Sequence, residues 1–115
     1  MNRQVVDVRQ IEVNCMYGVY GEIKLFIPGS ESLKDRRRVV KSLHDRLHKL
    51  CNASVADTSK DETWQTASLT FAIVASNMTG LNDMLECVDN QVNRHSAEFE
   101  VISFEYDYFP ERSQY

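Results

Sequence analysis

No uninterrupted apolar run in this 115-residue chain approaches the roughly 18 residues that a membrane helix requires. The opening MNRQVVDVRQ has no signal-peptide apolar core after Arg3, so the expectation is a cytoplasmic protein with no membrane partner. Cysteine is scarce. Cys15, Cys51 and Cys87 are odd in number, far apart and without a CxxC pair, which implies reduced thiols and no cysteine-based metal site. Proline occurs only at Pro28 and Pro110, and each ends a strand-like run. Phosphate loops, dinucleotide fingerprints, nucleophile elbows and HExxH are all missing, so no catalytic residue, metal or cofactor is expected and the protein reads as a non-enzyme. The apolar run SLTFAIVAS has no Lys, Arg or Gly and a single Phe, which disfavours sheet-stacked recognition of single-stranded RNA.

What the chain does have is a polarised charge distribution. From Leu33 to Leu50, seven cations (Lys34, Arg36, Arg37, Arg38, Lys41, Arg46, Lys49) face two carboxylates (Asp35, Asp45), an excess of five on a chain whose formal net charge is −4. The remainder therefore carries −9. Such asymmetry argues about association rather than fold. Pro28 and Gly29 break the chain upstream, and Ser32 followed by Asp35 reads as an N-cap with a short capping box. At about 100° per residue, Leu33, Val39, Val40, Leu43, Leu47 and Leu50 gather in an arc of about 120°, the core face. Lys34, Arg37, Lys41, His44 and His48 follow the same rhythm on the solvent side. Arg36 breaks the order: its angle falls inside the apolar arc, where a charge must snorkel or pair, and Asp57 and Asp61 are candidate partners. His44 and His48 have the i, i+4 spacing of a metal pair, but with no third ligand nearby they read as two exposed histidines.

The other elements follow from periodicity. Val19, Ile23, Leu25 and Ile27 oppose Tyr20, Glu22, Lys24 and Phe26 in a first strand that ends at Pro28. Residues 52–58 (NASVADT) form a short second strand. Residues 59–65 are a polar connection with room for one helical turn, delivering Trp64 as a plug for the end of the core or, less simply, a stacking platform. Residues 68–76 are apolar on both parities, as in a central strand. Leu81, Met84, Leu85, Val88 and Val92 make a second helix behind Thr79 and Gly80. Ile102, Phe104, Tyr106 and Tyr108 alternate with Val101, Ser103, Glu105 and Asp107 in a fourth strand that stops before Pro110. The order βαββαβ predicts a ferredoxin-like α+β sandwich, a four-stranded antiparallel sheet with two helices on one face. Its open face, expected to show Tyr20, Phe26, Ala72, Val74 and Val101 with Glu22 and Lys24, is a candidate homodimer surface, or one covered by the chain's own side chains and N-terminal arm. Residues 1–15 read as an extension or extra edge strand, 16–109 as the single domain, and 110–115 as a tail.

The motifs IPGSESLKDRRRVVKSL, SVAD and TWQTASL with a following ASN resemble the YlxP-like family of small bacterial proteins over residues 16–109. Pro28, Gly29, Ser32, Leu33, Lys34, Asp35, Arg36, Arg37, Lys41 and Ser42 carry the first motif; Asp61, Trp64, Gln65, Ala67 and Leu69 carry the second. The resemblance implies a ferredoxin-like fold and a translation-associated role, the family's genes lying among those for translation factors and ribosome maturation. With the cationic helix, it makes Lys34, Arg36, Arg37, Arg38 and Lys41 the candidate residues for binding rRNA or an acidic protein. The competing expectation is an ACT-like domain that senses a small ligand, or binds protein, as a dimer, with an anion held at the Pro28–Gly29 turn and the following helix N-terminus.

Overall fold

The computed structural model describes residues 16–60, 63–94 and 97–109. Along them run β1 (Tyr17–Phe26), α1 (Leu33–Cys51), β2 (Ser54–Asp57), β3 (Thr66–Ala75), α2 (Met78–Asn93) and β4 (Glu100–Phe109). The strands form one antiparallel sheet in the order β2-β3-β1-β4, the ferredoxin-like arrangement expected from the pattern of elements. Val19, Ile23 and Leu25 of β1 and Leu69, Phe71 and Ile73 of β3 meet Val40, Leu43 and Leu47 of α1 and Leu81, Val88 and Val92 of α2 in a single buried core.

Helix α1 starts where its sequence says it should. The Ser32 hydroxyl accepts the Asp35 amide at 3.1 Å, and the Asp35 carboxylate accepts the Glu31 amide at 3.0 Å, a capping box displaced by one residue. Its end differs from expectation. Asn52, read above as strand, is a left-handed stop at φ 55°, and the Ala53 amide reaches back to the Leu47 carbonyl at 3.2 Å. Leu50, placed in the core arc, is 61% exposed. Helix α2 also begins earlier than expected, because the Asn77 side chain accepts the Gly80 amide at 2.7 Å and draws Thr79 and Gly80 into the first turn.

A register shift redirects β4. Lys24 lies opposite Ser103, but Leu25 lies opposite Val101, so Ile102 is an extra, outward-facing residue. Val101 consequently packs against the core rather than on the open face where alternation put it. Beyond the bulge, Phe104, Tyr106 and Tyr108 line the helix-side face, with ring centroids 5.5 and 6.1 Å apart. Gly21 is paired with Phe71 on one side and Tyr106 on the other, which close over it. A Cβ there would collide with the Glu105 carbonyl and lie 2.8 Å from both Phe71 and the Tyr106 Cβ. Gly21→Ala is therefore expected to destabilise the fold by about 1–3 kcal/mol in urea unfolding, through forced separation of β1 and β4.

Two further expectations change. Trp64 is 50% exposed rather than a buried plug, and the described residues of the β2–β3 connection contain no helical turn. Cys51 and Cys87, expected as separate thiols, are joined as a disulfide across α1 and α2 with a Cα–Cα distance of 5.5 Å. Neighbouring helices brought them together across 36 residues of sequence, a proximity that spacing alone does not encode. The readings for residues 1–15, for Asp61 and for the tail at 110–115 lie outside the described residues.

Candidate binding surface on helix α1

The five cations singled out from the sequence divide into two groups. Lys34, Arg37, Arg38 and Lys41 are all exposed along α1. Arg36 is not among them: it is 1% exposed, and its guanidinium donates to the backbone carbonyls of Lys60, at 2.6 Å, and Thr63. The cause is the angle noted above, which aims the side chain into the protein. Arg36 is thus withdrawn from the contact set; it secures the β2–β3 connection to the start of α1. Asp57, one of its candidate partners, instead accepts the Ser59 amide at 2.9 Å.

Two of the exposed cations, Arg38 and Lys41, sit in solvated ion pairs. Arg38 meets Glu98 at 3.3 Å and Lys41 meets Asp45 at 3.2 Å, with the cationic side chains 67% and 76% exposed. Solvated pairs of this kind contribute about 0–1 kcal/mol, so an incoming polyanion can displace them at small cost. Among the described residues Lys34 and Lys49 form no ion pair. Arg46 is turned toward α2, donating to Gln91 at 3.2 Å and to Ser42 at 2.9 Å. The hydrogen bond from Lys41, with a lesser contribution from His44, holds the Asp45 carboxyl below its ordinary value of 3.8. A group depressed in the folded state stabilises it above the unfolded pKa and loses that contribution as pH falls through the folded one. Carboxyl titration by NMR should place the Asp45 midpoint below 3.8, and Lys41→Ala should move it upward.

The histidines sit at the end of this ridge. Their ring centroids are 6.5 Å apart; His44 faces Asp45 at 3.3 Å and His48 faces the Ala53 carbonyl at 3.2 Å. Among the described residues no group of three or more His, Cys, Asp or Glu side chains is arranged to hold a metal. At the other end, a cleft of about 190 Å³ beside the Pro28–Gly29 turn is lined by Asp35 and Glu98 as well as Arg38. An anion there would face two carboxylates.

The open sheet face is more acidic than alternation suggested. Tyr20, Ala72 and Val74 lie there as expected, but Glu22 stands directly opposite Glu105, and Tyr20 opposite Asp107. Lys24, 3.9 Å from Glu22, is the only cation on that face among the described residues of β1, β3 and β4. Neither the bulge at Ile102 nor this acidity was visible without strand pairing, although the Glu and Asp residues themselves were.

A four-stranded antiparallel sheet backed by one cationic and one acidic helix defines a small ferredoxin-like α+β domain. The chain belongs to the family described as Protein of unknown function (DUF503), whose family model matches residues 19–106. No curated protein matches. Among solved structures it is similar to a de novo designed protein, Foldit4, at 14% identity over 83% of this chain and 99% of that one, with a TM-score of 0.48. No helix among the described residues is long and apolar enough to cross a membrane.

Proposed function

We propose that this protein is a non-enzymatic binding module, a ribosome- or translation-associated accessory protein of YlxP-like type, that applies Lys34, Arg37, Arg38 and Lys41 to the phosphates of structured RNA. The observation that carries this reading is the excess of five positive charges on one helix of a chain of net charge −4, with four of those cations wet and aligned. Charge of this kind grips backbone rather than bases, so contact is by shape and phosphate spacing and is sensitive to salt. The acidity of the rest of the molecule confines that contact to the α1 face.

Co-sedimentation with ribosomal subunits tests it. Lys34→Glu, Arg37→Glu and Lys41→Glu combined should abolish co-sedimentation, and each single change should flatten the salt dependence by nearly one unit of slope. Identical profiles for wild type and triple variant remove the proposal. Capture from lysate that persists after nuclease would instead favour an acidic protein partner. The small-ligand alternative has less support because of the carboxylates in the cleft at the start of α1. A homodimer through the open sheet face also has less support, since two such faces would appose Glu22, Glu105 and Asp107 with only Lys24 to offset them.

A further inference from the structure

On the side of the molecule away from β2, α2 and β4 flank an open, shallow groove of about 480 Å³ unrelated to the α1 ridge. Its floor is apolar: Leu85 is nearly buried, Phe104 is partly buried, and Tyr106 is 42% exposed. Its rim is acidic. Glu86 and Asp89 line it, and α2 carries Asp83, Glu86 and Asp89 without a single Lys or Arg. Among the described residues none of these three carboxylates is paired with a cation.

The groove runs beside an edge. β4 is ten residues long and terminal in the sheet, and among the described residues no strand pairs with its outer side. An edge of that length is a template for another extended chain. Its charges select which one. Glu100, Glu105 and Asp107 are the only ionic groups of β4, so a second copy pairing edge to edge would set carboxylate against carboxylate. A cationic strand meets the opposite condition, with backbone hydrogen bonds to the edge, aliphatic stems over Tyr106 and Leu85, and charged ends at Glu86 and Asp89.

We propose that the α2–β4 edge is a docking site for an extended arginine- or lysine-bearing segment of a partner protein, which adds to the sheet as a fifth strand. The site is independent of the RNA-contacting ridge, so the two readings stand or fall separately. A protein using both would join RNA on one side to a basic protein segment on the other.

The test uses the intact chain and a fluorescein-labelled ten-residue peptide of alternating Arg and Val, capped at both ends. Its comparators are the same peptide with Val replaced by Pro at alternate apolar positions, and a Glu-Val counterpart. The Arg-Val peptide should bind with amide shifts concentrated on β4 and α2. The proline-interrupted peptide, of equal charge but lacking strand amides, should bind at least tenfold more weakly, and the Glu-Val peptide not at all. Glu86→Lys with Asp89→Lys, both exposed positions, should weaken binding at least tenfold, and Tyr106→Ala should weaken it independently of charge. Glu22→Lys on the opposite sheet face changes charge by the same amount per residue and should have little effect. Equal binding of the proline-interrupted peptide, or equal losses from Glu22→Lys and Glu86→Lys compared singly, would reduce the effect to bulk attraction and overturn the proposal. So would concentration-dependent self-association that blocks the edge, or absence of binding by a folded wild-type chain.

Discussion

Arg36→Ala is expected to destabilise the domain by about 3 kcal/mol and lower its melting temperature by about 10 °C or more, among the largest effects of any single substitution in the helix. Arg36 is 1% exposed, and its guanidinium donates to the carbonyls of Lys60 and Thr63, both within the connection from β2 into β3. Truncation leaves those acceptors without their donor and opens a void between the start of α1 and the loop. Both carbonyls accept from the one terminal nitrogen Nη1, so Arg36→Lys should recover only part of the loss, because the shorter lysine stem has to bring its ammonium to that same point. Thermal and urea unfolding of the two variants measure this, and hydrogen exchange at Thr66 to Leu69 would locate it. A change in stability no larger than that of Arg37→Ala, at an exposed neighbour, would show that the buried guanidinium is not holding the loop. The same pair guards the RNA experiment, since loss of binding in an Arg36 variant reports the fold, whereas loss in an Arg37 variant reports the surface.

Breaking the Cys51–Cys87 link is expected to lower stability by up to about 4 kcal/mol, the chain-entropy value for cross-linking residues 36 apart. Cys51 is the last residue of α1 and is buried, so the link ties the end of that helix to the middle of α2. In denaturant without reductant, Cys51 and Cys87 should resist alkylation, and both should become reactive once a dithiol is added. The Cys51→Ser, Cys87→Ser double variant should match the reduced wild type in melting temperature and fall below the oxidised one. Alkylation of both residues without reductant would show the thiols apart, and the difference in melting temperature should then vanish.

Much of the architecture was legible before any tertiary information because its signals are local. The hydroxyl of Ser32, the period of α1 and the alternation of β1 are written within a few residues of where they act, and they placed the helix, its apolar stripe and its cationic ridge. The order of elements followed from the same periods. The candidate surface was legible to the same extent: four of its five cations lie where a helical projection puts them, and the projection itself marked Arg36 as the exception.

Which fate Arg36 would meet was a tertiary matter, since it depended on a loop 24 to 27 residues away arriving with its carbonyls turned inward. The cysteine pairing and the acid-to-acid register of Glu22 and Glu105 likewise depend on groups remote in sequence. A one-residue bulge reversed the sense of Val101 against the later residues of β4, because the side-chain period of a strand is two and any insertion exchanges its faces. The residues themselves settled the helices, the strands and the imbalance of charge. Only packing decided which polar groups remain outside, because burial and pairing are set by whichever distant segment comes to lie against them.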